Sequence, residues 1–140
     1  MAEKEISNFH REKTLAAGKE LLTKKIKIKD FDVLVVSAGV EISSDDLRSL
    51  ALDLRSKLNN SVVVLYSPSV KNGKVTVVAS SSPTAVSAGI KAGALVKMAS
   101  ATLGGGGGGK DDFAQGGGPN LEQIDFSQGE IINSITNSLS

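Results

Sequence analysis

Residues 103–118 read LGGGGGGKDDFAQGGG, so nine of the chain's 15 glycines fall between positions 104 and 118. An ordered glycine costs roughly 0.5–1 kcal/mol relative to alanine in a regular element, because its backbone loses more freedom on folding. A tract this dense is therefore either a flexible linker, as glycine runs commonly are, or an ordered loop that needs bare backbone. The defined segment from Lys110 to Gln115 and a second glycine run follow the first, and this order favours the ordered loop.

Bare backbone has a chemical use, because it lets a ligand approach closely and offers N–H groups to phosphate oxygens. Lys110 directly after the run would add a cationic contact to a phosphate. The tract does not match a Walker A loop, since no predicted strand leads into it and no Ser or Thr follows Lys110. It also lacks the strand-to-helix turn of a dinucleotide site. Binding of a phosphate-bearing ligand is thus favoured over nucleotide hydrolysis.

The composition limits the class of protein. A chain of 140 residues is predicted to fold around one core as a small domain. It has no cysteine, so disulfides and zinc sites with thiolate ligands are excluded, and His10 is its single histidine. Beside Phe9, His10 is predicted to be structural or solvent-facing. No apolar run approaches a membrane span and the charged amino terminus lacks a signal core, so we expect a cytoplasmic protein without a membrane partner.

The charges are unevenly distributed along the chain. Residues 1–29 carry eight Lys or Arg against four Glu, a balance of +4, and residues 30–140 carry eight against eleven acids, a balance of −3. A basic amino-terminal segment of this kind is either an electrostatic footprint for an anionic partner or a solvated helix face.

The first half of the chain predicts a helix, a strand and a second helix. Residues 3–24 lack proline and are rich in helix-forming Lys, Glu, Ala and Leu. From Ile26 to Ala38 the β-branched residues favour a strand. Ser43 and Asp46 resemble a capping box, and the apolar residues that follow have helical spacing: Leu47, Leu50, Ala51, Leu54 and Leu58.

The second half predicts a hairpin and two more helices. Val62 to Tyr66 is typical of a strand buried on both faces, and Asn72-Gly73 predicts a tight turn into an antiparallel strand at Lys74 to Ser80. Residues 80–93 have no clear pattern. Helical spacing returns in two groups: Ala94, Leu95, Met98, Ala99 and Thr102, then Ile131, Ile132, Ile135 and Leu139.

These elements predict an α/β fold, with a small mixed or antiparallel sheet flanked by helices and an amino-terminal helical segment. The predicted organisation is a helical segment at residues 1–25, serving as the end of a linker or as a dimerisation helix, followed by a globular domain at residues 26–140.

The run from Leu103 to Gly118 resembles the hallmark of the DHH-associated domain, in the form carried at the carboxy end of alanyl-tRNA synthetases. The preceding KAGALVK, Lys91 to Lys97, resembles the start of the helix that leads into that loop. The likeness extends over nearly the whole chain. The family commonly has Arg, Pro and Asp after the glycines, where this chain has Lys110, Asp111 and Asp112, and Lys in place of Arg weakens the case for a bidentate phosphate contact.

The resemblance implies a domain without catalytic residues, metal ligands or cofactors that holds the elbow of tRNA(Ala), where the D and T loops meet. It would help the aminoacylation and editing domains of its parent to act on one tRNA, and it could form a homodimer. The parent would be an ATP-dependent alanine-tRNA ligase that needs ATP, Mg and a zinc in its editing domain. The RNA contacts expected are Gly104, Gly105, Gly106, Gly107, Gly108, Gly109, Lys110, Gln115, Gly116, Gly117, Gly118, Lys91 and Lys97.

Three alternatives remain open from the sequence. Phe113 is either a base-stacking residue or an apolar anchor that holds the glycine loop in shape. The domain also resembles the substrate-binding part of DHH phosphoesterases, although these relatives tend to have histidine where this chain has Lys110, and their catalytic clusters lie in a separate domain. A dimerisation module built on the helix at residues 3–24 is the third.

Overall fold

A computed structural model describes residues 22–139 as a single sheet with helices on both faces. The predicted helix at residues 3–24, with Phe9 and His10, lies almost wholly outside these residues, as does the predicted segment at 1–25. Within residues 22–139, no helix is both long and apolar enough to cross a membrane.

Between residues 26 and 139, six strands and four helices build the domain. The strands are β1 (Ile26–Ile28), β2 (Phe31–Ser37), β3 (Ser61–Ser69), β4 (Lys74–Ser81), β5 (Gly106–Gly109) and β6 (Phe113–Gly118). The helices are α1 (Ser44–Lys57), α2 (Pro83–Ser87), α3 (Ala92–Thr102) and α4 (Ile124–Leu139), with a 3-10 turn at Leu121–Gln123.

The sheet order is β1-β2-β3-β4-β6-β5. Strands β2 and β3 are parallel, and every other neighbouring pair is antiparallel. The predicted class, a small mixed sheet flanked by helices, is confirmed.

The central strands of the sheet are buried on both faces. On one side, which we call the α1 face, α1 packs on a core that includes Leu34, Val63, Leu65 and Val78. The other three helices cover the opposite side, the α3 face, whose core is larger: Val33, Val35, Val62, Val64, Tyr66, Val75, Val77, Ala79, Ala85, Ile90, Ala92, Leu95, Val96, Ala99, Leu103, Ala114, Ile131 and Ile135. Strand β3 contributes to both cores, as predicted for Val62 to Tyr66.

Local capping explains where two helices begin. The Ser43 side chain accepts a hydrogen bond from the Asp46 amide at 3.2 Å, which confirms the predicted start of α1. Ser82 does the same for the Ala85 amide, and Pro83 occupies the first turn of α2. This short capped helix lies in the stretch that hydrophobic periodicity left unassigned.

Two predictions are corrected by the structure. The strand predicted from Ile26 to Ala38 is interrupted by a turn, in which Lys29 has a φ of 55°, and becomes the antiparallel pair β1 and β2. The glycine segment, predicted as an ordered loop, forms the strands β5 and β6. The predicted turn at Asn72-Gly73 is confirmed, and Gly73 has the positive φ of 64° that such turns favour.

The last helix is attached to the sheet by a buried polar contact. The Tyr66 hydroxyl lies 2.7 Å from the Ser127 hydroxyl, in the core between β3 and α4. Burial raises the pKa of Tyr66 to about 12, so the phenol is neutral at physiological pH. The contact therefore satisfies two buried hydroxyl groups and fixes α4 over the α3 face.

Candidate functional site

The two glycine runs pair with each other as a β-hairpin at one end of the sheet. Gly106 lies opposite Gly117, and Gly108 lies opposite Gln115. Strand β6 also pairs with β4, whereas β5 is the edge strand, and all four of its residues are exposed. The tract is thus ordered backbone within the sheet.

Alternate glycines of β5 point into the domain, where there is no room for a side chain. A Cβ on Gly107 would lie 2.8 Å from the Gln115 carbonyl oxygen and 2.9 Å from the Ser100 hydroxyl oxygen. A Cβ on Gly109 would lie 2.7 Å from the Ala114 Cα. These two glycines are needed because α3 and β6 pack closely against the strand.

Close packing does not explain the other two glycines of β5, Gly106 and Gly108. A Cβ on Gly106 or Gly108 would meet nothing within 4 Å, and neither residue has a positive φ. Side chains alternate along a strand, so both positions lie on the α1 face, next to the exposed Gln115. We call Gly106, Gly108 and Gln115 the glycine face. Its two open glycines weaken the strand without improving the packing of the domain.

Helix α1 stops short of this hairpin and leaves a cleft beside it. The helix packs on β3 and β4, so the glycine face is uncovered. The cleft between helix and hairpin has a volume of about 440 Å³. Its floor is the hairpin and its wall is the helix, with these lining residues: Arg48, Leu52, Gly108, Gly109, Lys110, Asp112, Phe113, Ala114 and Gln115.

Phe113 anchors the hairpin to the core. Its half-buried ring packs against the apolar cluster under α1, and the Arg48 guanidinium carbon lies 5.1 Å from the ring centroid. This distance is within the range of a cation–π contact. The geometry supports the anchor interpretation of Phe113. It also adds Arg48, which the sequence analysis missed because the contact joins residues far apart in the chain.

The turn between the two glycine strands is held by α3. The Lys110 amide donates to the Phe113 carbonyl at 2.8 Å and closes the turn. The amides of Ala92 and Gly93, in the first turn of α3, donate to the carbonyls of Asp111 and Lys110 at 2.7 and 3.1 Å. These carbonyls take the place of a side-chain cap at the start of α3, and the turn is thereby fixed in space.

The structure divides the predicted contact residues into separate places. Gly106, Gly108, Lys110 and Gln115 lie on the α1 face or line its cleft. Lys91 and Lys97 are exposed, but they lie at the N-cap of α3 and within α3, the helix that covers the opposite face.

The remaining predicted glycines lie toward the other end of the hairpin. Gly104, with a φ of 83°, forms the turn that leads into β5. A second, smaller cleft of about 390 Å³ is lined by Lys74, Val75, Thr76, Gly105, Gly116, Gly117, Gly118 and Pro119. Across residues 22–139, no group of three His, Cys, Asp or Glu side chains is placed to hold a metal ion.

Comparison with known proteins identifies close relatives of the whole described region. The family model described as the DHHA1 domain matches residues 30–137. An alanine-tRNA ligase of Renibacterium salmoninarum is 44% identical over 122 residues, which cover 87% of this chain and 14% of the ligase. One from Arthrobacter sp. is 37% identical over 134 residues, 96% of this chain and 15% of the ligase. The chain therefore spans about one seventh of the length of these relatives.

Solved structures show the same fold. The C-Ala domain of Aquifex aeolicus alanyl-tRNA synthetase matches with a TM-score of 0.66 and 28% identity, over 83% of this chain and 97% of that domain. A pGpG-specific phosphodiesterase of Vibrio cholerae matches with a TM-score of 0.54 over 91% of this chain and 40% of its own. At 14% identity, the second likeness concerns the fold alone.

Proposed function

This chain belongs to the DHHA1 family, as the C-terminal domain of an alanyl-tRNA synthetase, and on that premise we propose that it binds tRNA through the glycine face without catalysing a reaction. The RNA feature proposed as its target is the elbow, where the D and T loops meet. The rest of the parent, an alanine-tRNA ligase, would supply the ATP, Mg and zinc chemistry.

The observation that carries the proposal is the open position of Gly106 and Gly108. Glycine in a strand is unfavourable, and at these two positions neither packing nor backbone angle requires it. A ligand that lies directly against the backbone would require glycine at both positions, because a side chain would keep the ligand away. A base pair that ends a helical stack is flat and apolar on its outer side, and bare β-strand backbone offers a matching flat surface.

The polar residues around the face suit an RNA ligand. Lys110 is exposed at the end of β5 and supplies a positive charge for a phosphate. Gln115 projects from the middle of the face, and its amide has both donors and an acceptor for a base edge or a ribose hydroxyl. Phe113 holds β6 in place beneath them. Together these groups supply positioning and a stacking surface, which is what shape recognition of RNA needs.

Two further roles remain predictions. By holding the elbow, which is remote from the reacting end of the tRNA, the domain would help the aminoacylation and editing domains to act on one tRNA. Homodimer formation through residues 3–24 concerns a segment outside the described residues.

The experiment is a titration of the 140-residue chain with three RNAs: a full-length tRNA(Ala) transcript, the same transcript with its D and T loops disrupted, and an acceptor-stem minihelix. We expect salt-dependent binding of the first RNA alone. Binding all three RNAs equally would contradict elbow recognition.

A matched pair of variants tests the glycine face itself. Gly108→Ala places a methyl group on the open surface, and we expect the affinity for the full transcript to fall by roughly tenfold, about 1.4 kcal/mol. Gly129→Ala is the control, because its added Cβ also meets nothing within 4 Å but lies on α4, on the other side of the sheet. Equal affinities of the two variants would remove the glycine face from the interface.

A further inference from the structure

The wall of the cleft points to an RNA contact that lies outside the glycine motif. We propose that Arg48 binds a backbone phosphate of the RNA whose base pair stacks on the glycine face. This inference rests on the proposed function and names a second group of the same ligand. Three features of Arg48 carry it: its place beside the face, the way its guanidinium is held, and its lack of a carboxylate partner.

Arg48 stands at the edge of the surface on which a base would lie. It lines the same cleft as Gly108 and Gln115, with α1 as the wall and the hairpin as the floor. The sugar and phosphate of a nucleotide extend outward from the edge of its base. A base pair stacked on the floor and reaching the wall would therefore bring one backbone strand to α1. The exposed Leu52, one turn further along the helix, offers an apolar surface to the ribose.

The guanidinium is in contact with an aromatic ring. Its carbon lies 5.1 Å from the centroid of the Phe113 ring, and Phe113 is itself packed in the core under α1. A cation–π contact of this kind holds the guanidinium beside the ring and uses none of its N–H donors. The backbone of Arg48 belongs to a helix whose neighbouring residues Leu47 and Leu50 are buried. The ring contact therefore restricts part of the freedom of this exposed side chain before a ligand binds.

No protein carboxylate neutralises Arg48 in the part of the chain that the structure describes. The ion pairs found among residues 22–139 are Lys25 with Asp32 and Lys57 with Asp53. The cleft contains Arg48 and Lys110 against Asp112, a balance of two positive charges and one negative. An anion bound there meets a net positive wall, and a phosphate matches the two parallel donors of a guanidinium.

The test measures binding of the full-length tRNA(Ala) transcript at four salt concentrations by wild type, Arg48→Ala, Arg48→Lys and Lys57→Ala. For Arg48→Ala we expect a roughly tenfold loss of affinity and a decrease of about one in the slope of log affinity against log salt. Arg48→Lys should recover the slope but only part of the affinity, because an ammonium group makes no planar fork. Lys57→Ala removes one positive charge from the same helix, away from the cleft, and should stay within about twofold of wild type.

The outcomes separate this inference from the proposed function. If the wild-type chain fails to bind the transcript, the proposed function is wrong and this inference falls with it. If the wild type binds and Arg48→Ala has the same affinity and salt slope, Arg48 makes no phosphate contact. A weaker Arg48→Ala variant with an unchanged slope and a lower thermal midpoint would also overturn the inference, since Arg48 would then act only by covering Phe113.

Discussion

Neighbouring glycines of β5 should respond in opposite ways to the same methyl group. At Gly108 an added Cβ meets nothing within 4 Å. Alanine there restricts the unfolded chain and should stabilise the fold by about 0.4–1 kcal/mol. At Gly107 the Cβ would lie 2.8 Å from the Gln115 carbonyl oxygen and 2.9 Å from the Ser100 hydroxyl oxygen. Overpacking of this kind costs about 1–3 kcal/mol.

The difference between the two variants should therefore be about 1.4–4 kcal/mol in the free energy of unfolding. In a domain of this size, that difference separates the thermal midpoints by roughly 4 °C or more. Circular dichroism during heating, with urea denaturation as a second measurement, is sufficient to detect it. Equal stability of Gly107→Ala and Gly108→Ala would refute the packing of β5 on α3 and β6, and with it the division of the glycines into inward and outward sets.

Two other predictions concern charged side chains. Lys110→Glu should weaken binding of the tRNA(Ala) transcript by roughly tenfold or more at low salt, because it replaces attraction of a phosphate by repulsion; unchanged binding in a fluorescence titration would remove Lys110 from the interface and leave the fold assignment intact. The Glu41 carboxylate accepts hydrogen bonds from the Ser69 hydroxyl at 2.8 Å and the Val70 amide at 2.6 Å, and the Ser69 bond, aided by backbone amides, lowers its pKa below the ordinary 4.5. The stabilising effect of the ionised Glu41 carboxylate is therefore present above pH 4.5 and is lost as the pH falls through the lowered pKa. The amide resonance of Val70 should follow this titration with a midpoint below pH 4.5, and a midpoint above pH 4.5 would contradict the contact.

The elements that could be predicted from sequence are those with local causes. Helix α1 has its cap at Ser43 and a regular spacing of buried leucines within one segment. Strand β3 contains three consecutive valines followed by Leu65 and Tyr66, and the turn after it needs the glycine at position 73. Each of these signals lies within a few residues of the structure that it specifies.

The hairpin of glycines could not be predicted in the same way. Glycine has a low preference for strands, so nothing local favours β5 as a strand. Its order comes from β6, from the close approach of α3 at Ser100, and from the turn that caps that helix. The sequence singled out the glycine segment but not which of its glycines face outward.

Long-range contacts also limited the prediction of the helices and of the surface. The buried side of α3 includes Val96 and Ser100, whereas Ala94, which spacing placed on the apolar stripe, is exposed. The apolar stripe is broad, and the sheet decides which part of it is covered. Arg48 has no sequence signal, because its position depends on how α1 crosses the sheet next to Phe113.

The attachment of β5 to α3 at both ends determines how this surface moves. The Gly105 amide donates to the Ser100 carbonyl at one end, and the turn after Gly109 caps the start of the helix at the other. Strand and helix should therefore open as one cooperative unit, and the hairpin amide hydrogens that bond between β5 and β6 should exchange with solvent only when α3 also unravels. The entropy loss of ordering so many glycines then occurs when the chain folds, before any partner arrives. Association through the glycine face can accordingly proceed as rigid docking on a hairpin that is already ordered.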